Sequence, residues 1–267
     1  MIIYGLNTLE EVLKNWHPES VRQFQTGEEK KEVAASQNSN SLNQIKRIYL
    51  DQKKRKDKKA AKIARAAKTV GIETDFCSRD FIGRLVGHSR HGGVAADIGQ
   101  FVYTSLEDLL KGAGRGVLLM ADCLQDQRNL GAIIRSACVF GIRGLIIGKD
   151  RSAAINATTF FCSQGTVSAL PSVQGGNLPR TVDLLKEVGY WIYGLDLKGE
   201  NSVFEPDFAE KSLLILGGED RGLRPLMKKK CDFTLQIPST GSFNNLNAST
   251  AAAIAMYEAM KHFSINS

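Results

Sequence analysis

Apolar residues gather into five short runs between residues 117 and 237, and each run is apolar almost throughout. Such runs are typical of parallel strands that helices cover on both faces. Segments with helical spacing separate them, which predicts an α/β fold with an open, mostly parallel sheet and ligand sites at the carboxyl ends of the strands. The predicted strands are 117–121, 144–148, 190–196, 212–217 and 232–237, and the predicted helices are 129–140, 153–164, 179–188, 223–230 and 249–263.

A smaller pattern of helices and strands precedes this sheet. Residues 19–43 are rich in Gln, Ser, Asn, Glu and Lys, with too few apolar residues for a core, so we predict a mobile insertion or long loop there. Around it we expect an extended segment at 1–5, helices at 8–14 and 79–86, strands at 45–51, 72–77 and 92–98, and a basic helix after residue 51. The pattern therefore predicts a small α/β domain over 1–98, a linker over 99–115 and a second domain over 116–267.

The positive charge is concentrated in one segment. The chain carries a formal net charge of +7, and residues 51–68 alone hold nine Lys or Arg against two Asp, which also gives +7. At helical spacing, Ala60, Ile63, Ala67 and Val70 share one face of this segment, opposite its cations. A solvated helix face is one interpretation. RNA binding is favoured, because concentrated positive charge is typical of nucleic-acid contacts. The candidate RNA-binding residues are Lys53, Lys54, Arg55, Lys58, Lys62 and Arg65.

Several classes of protein are excluded or disfavoured. No apolar run approaches the roughly 20 residues of a membrane helix, and no export signal begins the chain, so we expect a cytoplasmic protein without a membrane role. Its five cysteines are odd in number and scattered, as in reduced cytosolic chains. His88 and His91 have zinc-like spacing near Cys77, yet no fourth ligand follows, so we predict no metal site. The Gly-rich 112–116 precedes a strand, so it cannot be a dinucleotide turn and is interpreted as a hinge.

Polar segments follow three of the predicted strands. The first, ADCLQDQRNLGAIIRSA (121–137), opens a helix that carries Arg135, where a cation and free backbone N–H groups can hold an anion. In the second, LILGGEDRGL (214–223), two glycines would let a ligand approach the backbone. The third, IPSTGSFNNLNAST (237–250), leads into a helix that Ser249 or Thr250 is expected to cap. Each alone suits a plain turn, but together they repeat one design three times in one sheet.

These three segments resemble the signature motifs of the SpoU/TrmH branch of the SPOUT RNA methyltransferases. The resemblance spans roughly 116–263 and implies a C-terminal trefoil knot, S-adenosyl-L-methionine as cofactor and a homodimer. It assigns cofactor binding to Gly217, Ile237 and Leu246, and the catalytic set to Asn129, Arg135, Glu219 and Asn247. The segments YGLNTLEEVL and HGGVAA further resemble the bacterial large-subunit rRNA guanosine 2′-O-methyltransferases, which implies an N-terminal RNA substrate-binding domain of ribosomal-protein type.

Two positions depart from the family pattern. Gln127 and Arg128 stand before Asn129 where Asp-Pro is usual, and Asn245 stands where the third motif commonly has Ser. The expected function is 2′-O-methylation of a ribose in RNA, most consistent with a guanosine of 23S rRNA. Methylation of tRNA or of an rRNA adenosine, and a non-catalytic role in RNA binding or ribosome assembly, remain the alternatives.

Overall fold

The computed structural model describes residues 1–15, 45–218, 222–242 and 245–264. The predicted insertion at 19–43 and the candidate catalytic Glu219 lie outside the described residues. Within these ranges, no helix is both long and apolar enough to cross a membrane.

Eleven strands and nine helices are formed by the described residues. The strands are β1 (Ile2–Tyr4), β2 (Arg47–Asp51), β3 (Thr74–Cys77), β4 (Val94–Asp97), β5 (Gly116–Ala121), β6 (Gly144–Gly148), β7 (Ser172–Gly175), β8 (Trp191–Leu195), β9 (Asn201–Ser202), β10 (Lys211–Leu216) and β11 (Phe233–Gln236). The helices are α1 (Leu6–Lys14), α2 (Lys58–Thr69), α3 (Arg79–Val86), α4 (Leu106–Ala113), α5 (Gln127–Val139), α6 (Ala157–Cys162), α7 (Leu178–Glu187), α8 (Pro225–Lys230) and α9 (Ala248–Ser264).

The chain divides into two compact units. The first comprises Met1–Val102 with Ile155–Ala169, and the second comprises Tyr103–Ala154 with Leu170–Ser267. The segment Ile155–Ala169, which the sequence pattern assigns to the C-terminal domain, thus groups with the N-terminal residues. The reason is packing, since α6 contacts β1. The backbone at Gly165 also lies against Thr8, so closely that an added Cβ at Gly165 would be 2.4 Å from the Thr8 carbonyl oxygen.

The first unit is built on a four-stranded sheet of order β1-β4-β2-β3. Strand β4 is antiparallel to both β1 and β2, whereas β2 and β3 run parallel. The extended segment at the N-terminus is thus a strand of this sheet, which three residues are too few to indicate by alternation. The basic helix is confirmed as α2, with Ala60, Ile63 and Ala67 buried beneath its cations.

The second unit is built on a seven-stranded sheet of order β7-β6-β5-β10-β8-β11-β9, in which every neighbouring pair is parallel. All five predicted strands are confirmed. Both unpredicted strands, β7 and β9, lie at the edges of the sheet, where burial is incomplete and polar residues such as Gln174 and Asn201 are tolerated. The predicted trefoil knot stays a prediction.

The order of the central strands fixes the position of the site. Strands β5, β10, β8 and β11 are consecutive neighbours, and parallel strands end at the same edge of a sheet. The β5 and β10 interiors are buried, including Leu118, Met120, Leu213 and Ile215, so the edge rests on a packed core. The three polar segments that follow β5, β10 and β11 are therefore held side by side.

Candidate active site

A cavity of about 610 Å³ opens at the carboxyl ends of β8, β10 and β11. All three residues predicted to bind the cofactor, Gly217, Ile237 and Leu246, line it. The other described residues of its wall are Leu195, Asp196, Leu197, Leu216, Gly218, Gly222, Gln236, Pro238, Ser239, Asn245, Asn247, Ala248 and Ala251. The sequence pattern missed the contribution of the segment after β8, because Leu195–Leu197 carries no glycine or polar signature beyond one aspartate.

The segment after β10 requires glycine for a reason beyond the one that the sequence suggests. A Cβ at Gly217 would lie 2.1 Å from the backbone carbon of Gly222, because the chain doubles back and Gly218 pairs with Gly222 in a β-bridge. The approach of a ligand to Gly217 stays a prediction, and this close backbone contact is a second reason for glycine at the position. Its missing side chain allows the backbone of Gly222 to lie against it, and Gly217, Gly218 and Gly222 all line the cavity.

The first polar segment begins α5 two residues earlier than predicted. Asp126 caps the helix by accepting a hydrogen bond of 2.7 Å from the backbone N–H of Arg128, whose guanidinium also donates to the same carboxylate. The Arg128 side chain is the main cause that lowers the pKa of Asp126, followed by the Arg128 backbone N–H. Arg128, which stands where the family usually has proline, thus stabilises the start of α5 through its contacts with Asp126.

Two residues of the predicted catalytic set meet directly. The side-chain amide of Asn247 donates a hydrogen bond of 3.1 Å to Oδ1 of Asn129, which joins the third segment to the first turn of α5. Oδ1 of Asn247 in turn accepts from the backbone N–H of Ser249 at 2.9 Å. The prediction that Ser249 or Thr250 caps α9 was therefore wrong: the Asn247 side chain satisfies this N–H, because it stands just before the helix.

Arg135 lies on the same helix but does not join this pair. It is six residues beyond Asn129, less than two turns and about 9 Å along the axis at ~1.5 Å per residue. The side chain is exposed, and its guanidinium makes no hydrogen bond or ion pair with the described part of the chain. It is thus accessible to an anion from solvent.

A buried ion pair that the sequence pattern did not predict ties the first segment to the second. Arg224 donates from Nε to Oδ2 of Asp122 at 2.9 Å and from Nη2 to Oδ1 at 2.5 Å. The Asp122 side chain is fully buried, and its hydrogen bonds raise the pKa of Arg224. The pair therefore locks the loop after β5 against the turn that carries Gly217.

Cys123, beside this pair, does not offer a nucleophile. Burial, and then the charge of Asp122, raise the pKa of its thiol. Its backbone is left-handed, with φ of 62°, and its carbonyl oxygen would lie 2.9 Å from a Cβ at Gly218. The backbone of Cys123 thus lies close to that of Gly218, where the segments after β5 and β10 approach each other.

The candidate RNA-binding residues lie in the first unit. Lys53 and Lys54 form a 3₁₀ turn after β2, Lys58, Lys62 and Arg65 lie on α2, and the Arg55 guanidinium stacks over Phe76 at 4.5 Å. Lys62 differs from the others, since its Nζ donates to Glu10 at 2.6 Å and lowers the pKa of that carboxyl group. Part of the predicted surface is therefore neutralised within the protein.

Nothing in the described ranges resembles a metal centre, because no three His, Cys, Asp or Glu side chains there are grouped to hold an ion. His91, one of the two histidines with zinc-like spacing, is buried and accepts a hydrogen bond from the backbone N–H of Gly93 at 3.2 Å. Burial is the largest cause that lowers its pKa. It therefore serves the turn before β4.

Comparison with known families assigns this chain to one of them. Residues 116–257 match the model of the SpoU rRNA Methylase family, and residues 30–104 match a model described as RNA 2′-O ribose methyltransferase substrate binding. The chain belongs to the SpoU rRNA methylase family. Arg135, Gly217 and Asn247 all fall within the matched SpoU region.

Individual relatives extend the match over most of the chain. The 23S rRNA (guanosine-2′-O-)-methyltransferase RlmB of Nitrosomonas europaea is 35% identical over 82% of this chain and 85% of its own. RlmB of Xylella fastidiosa is 37% identical over 77% and 84%. The SpoU methyltransferase AviRb of Streptomyces viridochromogenes, solved in complex with AdoMet, shares the fold at a TM-score of 0.75 and 22% identity, over 99% of this chain and 90% of that one.

Proposed function

We propose that this SpoU-family chain transfers a methyl group from S-adenosyl-L-methionine to the 2′-oxygen of a guanosine in 23S rRNA. The observation that carries the proposal is the cavity at the ends of β8, β10 and β11, around which the second and third signature segments meet. The names of the RlmB relatives support the nucleotide and the RNA.

The residues of the cavity fit this cofactor. Its volume lies within the roughly 300–1,000 Å³ usual for ligand pockets. Leu195, Leu216 and Ile237 offer apolar surface to an adenine ring, and Asp196 and backbone groups beside Gly217 offer hydrogen bonds. When bound, the cofactor supplies a methyl group on a positively charged sulfur. Well-oriented reactants gain on the order of 7–11 kcal/mol from positioning, so holding the ribose in line is the main task of the protein.

Arg135 is assigned the role of phosphate clamp. A guanidinium stays protonated in proteins, which makes it a poor base but a good partner for a phosphate. Bound to the phosphate beside the target ribose, it would orient the 2′-hydroxyl and favour negative charge on that oxygen. The hydrogen-bonded pair Asn129 and Asn247 would position the nucleotide, and Glu219 is assigned to the same set from the motif alone.

The assembly and location belong to the same proposal. The family resemblance implies a homodimer, and two apolar side chains of the cavity wall, Leu197 and Leu246, are 60% and 44% exposed in the single chain. A second copy that covered them would complete the wall. Action on ribosomal RNA would place the protein in the cytoplasm.

The basic residues of the first unit should govern RNA affinity. Replacement of Lys53, Lys54 and Lys58 by Glu should weaken binding of rRNA fragments and lower the salt slope by roughly 0.7–0.9 for each lost phosphate contact. Cofactor affinity should not change, because these lysines lie in the other unit. Binding titrations at several salt concentrations measure both quantities.

The control for this prediction is the same change at Lys111, Lys211 and Lys229, which are exposed residues of the second unit. It alters net charge equally but leaves the basic segment intact. Equal losses in the two triple variants would mean that only net charge matters and that the segment is a solvated face.

The reaction itself is tested with the purified full chain, methyl-labelled cofactor and a choice of RNAs. We expect label in 23S rRNA and little in tRNA, since a separate basic unit suits a large folded RNA. Preferential labelling of tRNA, or of an rRNA adenosine, would support the corresponding alternative. Binding of rRNA without any methyl transfer would support a non-catalytic assembly role.

A further inference from the structure

Among the described residues that line the cavity, only Asp196 has a charged side chain. It directly follows β8, at the carboxyl edge of the sheet, and its side chain is 13% exposed. Its backbone is fixed on both sides, because its N–H donates to the carbonyl of Leu235 at 2.9 Å and its carbonyl accepts from Gly199. The carboxylate therefore has a defined position in the cavity wall.

The two oxygens of this carboxylate differ in their partners. Oδ1 accepts from the backbone N–H of Lys198 at 2.9 Å and from Nζ of Lys228 at 3.4 Å. Oδ2 accepts no hydrogen bond from any residue that the structure describes. A carboxylate on a mostly buried side chain favours hydrogen-bond donors, and Oδ2 is open to one from a ligand.

Gly222 keeps the space beside this oxygen clear. Its backbone is left-handed, with φ of 61°, and an added Cβ would lie 3.3 Å from Oδ2 of Asp196. A side chain at this position would crowd the oxygen from the side of the Gly217 turn. The glycine thus combines a turn conformation with an open path from the cavity to the carboxylate.

The chemistry of the surroundings favours a neutral donor over a cation. Lys228 already balances the charge of Asp196, so the carboxylate does not need a positive ligand. Acidic residues near the carboxyl ends of parallel strands bind ribose hydroxyls in dinucleotide-binding folds. We propose that Oδ2 of Asp196 accepts a hydrogen bond from a ribose hydroxyl of S-adenosylmethionine and thereby selects ligands that carry this hydroxyl. This inference rests on the proposed function.

Calorimetric titration of the full chain with S-adenosylhomocysteine and its 2′-deoxy and 3′-deoxy analogues tests the inference. The wild type should lose roughly 10- to 100-fold in affinity for the analogue that lacks the bonded hydroxyl, the range expected for a hydrogen bond to a charged group. Asp196→Ala should bind S-adenosylhomocysteine as weakly as the wild type binds that analogue, and should no longer distinguish the two. Asp196→Asn, which keeps the shape of the side chain, should lose part of the discrimination if the alanine variant is unstable.

The matched control is Asp183→Ala. Asp183 pairs with Lys230 of α8 at 2.5 Å, much as Asp196 pairs with Lys228, but it lies outside the cavity. It should retain full affinity and full discrimination, which separates the loss of an ion pair with α8 from the loss of a ligand contact.

Three outcomes overturn the inference. Equal discrimination by the wild type and Asp196→Ala would show that the carboxylate does not contact the ribose. If Asp196→Ala weakens binding of S-adenosylhomocysteine but not of an analogue that lacks the α-amino group, the carboxylate contacts the ammonium and not the ribose. If the wild type does not bind S-adenosylhomocysteine at all, the proposed function fails and the inference fails with it, a result distinct from binding without coupling.

Discussion

Replacement of Arg135 by Ala is expected to lower the single-turnover rate of methyl transfer by roughly 10²–10³, the effect of losing one preorganised electrostatic donor. Cofactor affinity should stay nearly unchanged, because Arg135 is not among the described residues that line the cavity. A rate loss with an unchanged cofactor Kd identifies an interaction that matters in the transition state. Rapid-quench measurement with saturating cofactor and excess enzyme gives the rate directly.

Two further variants make the Arg135 experiment specific. Arg135→Lys should recover only part of the rate, since a point charge cannot reproduce the planar fork of a guanidinium. Arg128→Ala is the matched control on the same helix, and we expect a small effect because Arg128 is occupied with Asp126. A near wild-type rate for Arg135→Ala with an inactive Arg128→Ala would contradict the assignment and move the clamp to Arg128.

Replacement of Arg224 by Ala is expected to cost about 3 kcal/mol of unfolding free energy, the lower end of the range for breaking a buried ion pair. The Asp122 carboxylate is fully buried and would be left without its partner. The lower end is appropriate because the Arg224 side chain is 35% exposed, so water can partly replace it. Urea unfolding followed by the fluorescence of Trp191, which lies in the same unit, reports the change.

Controls distinguish burial from charge in this experiment. Arg115→Ala removes a surface ion pair with Glu210, whose side chains are 77% and 66% exposed, and should cost less than about 1 kcal/mol. The double variant Asp122→Asn with Arg224→Met should recover much of the loss, since no unpaired charge then remains. Equal costs for Arg224→Ala and Arg115→Ala would contradict the account of the buried pair.

The parts of the fold that the sequence predicted are those with a strong local signal. The β5, β6 and β10 strands are covered on both faces, so their residues form uninterrupted apolar runs. The edge strands β7 and β9 carry no such run and were missed. The placement of Ile155–Ala169 with the first unit depends on contacts with residues near position 8, which no local pattern encodes.

The candidate site divides in the same way. The family resemblance assigned Gly217, Ile237 and Leu246 to one cofactor site, and all three line one cavity, because they follow strands that end at the same edge. Asp122 and Arg224 are 102 positions apart in the chain. Neither segment alone indicates that these two residues form an ion pair. Asp196 was missed because a single aspartate after a strand is common in any sequence. Only the structure shows that its Oδ2 accepts no hydrogen bond from the described residues and that Gly222 lies beside this oxygen.

The most direct measurement of the central claim is the position of the methyl group after the full chain has reacted with 23S rRNA and labelled cofactor. Nucleoside analysis followed by mapping of alkali-resistant positions identifies the base and the atom. The account predicts 2′-O-methylguanosine at one site, and its loss in the Arg135→Ala variant. Label on a base, on a different nucleoside or on no RNA at all would contradict it.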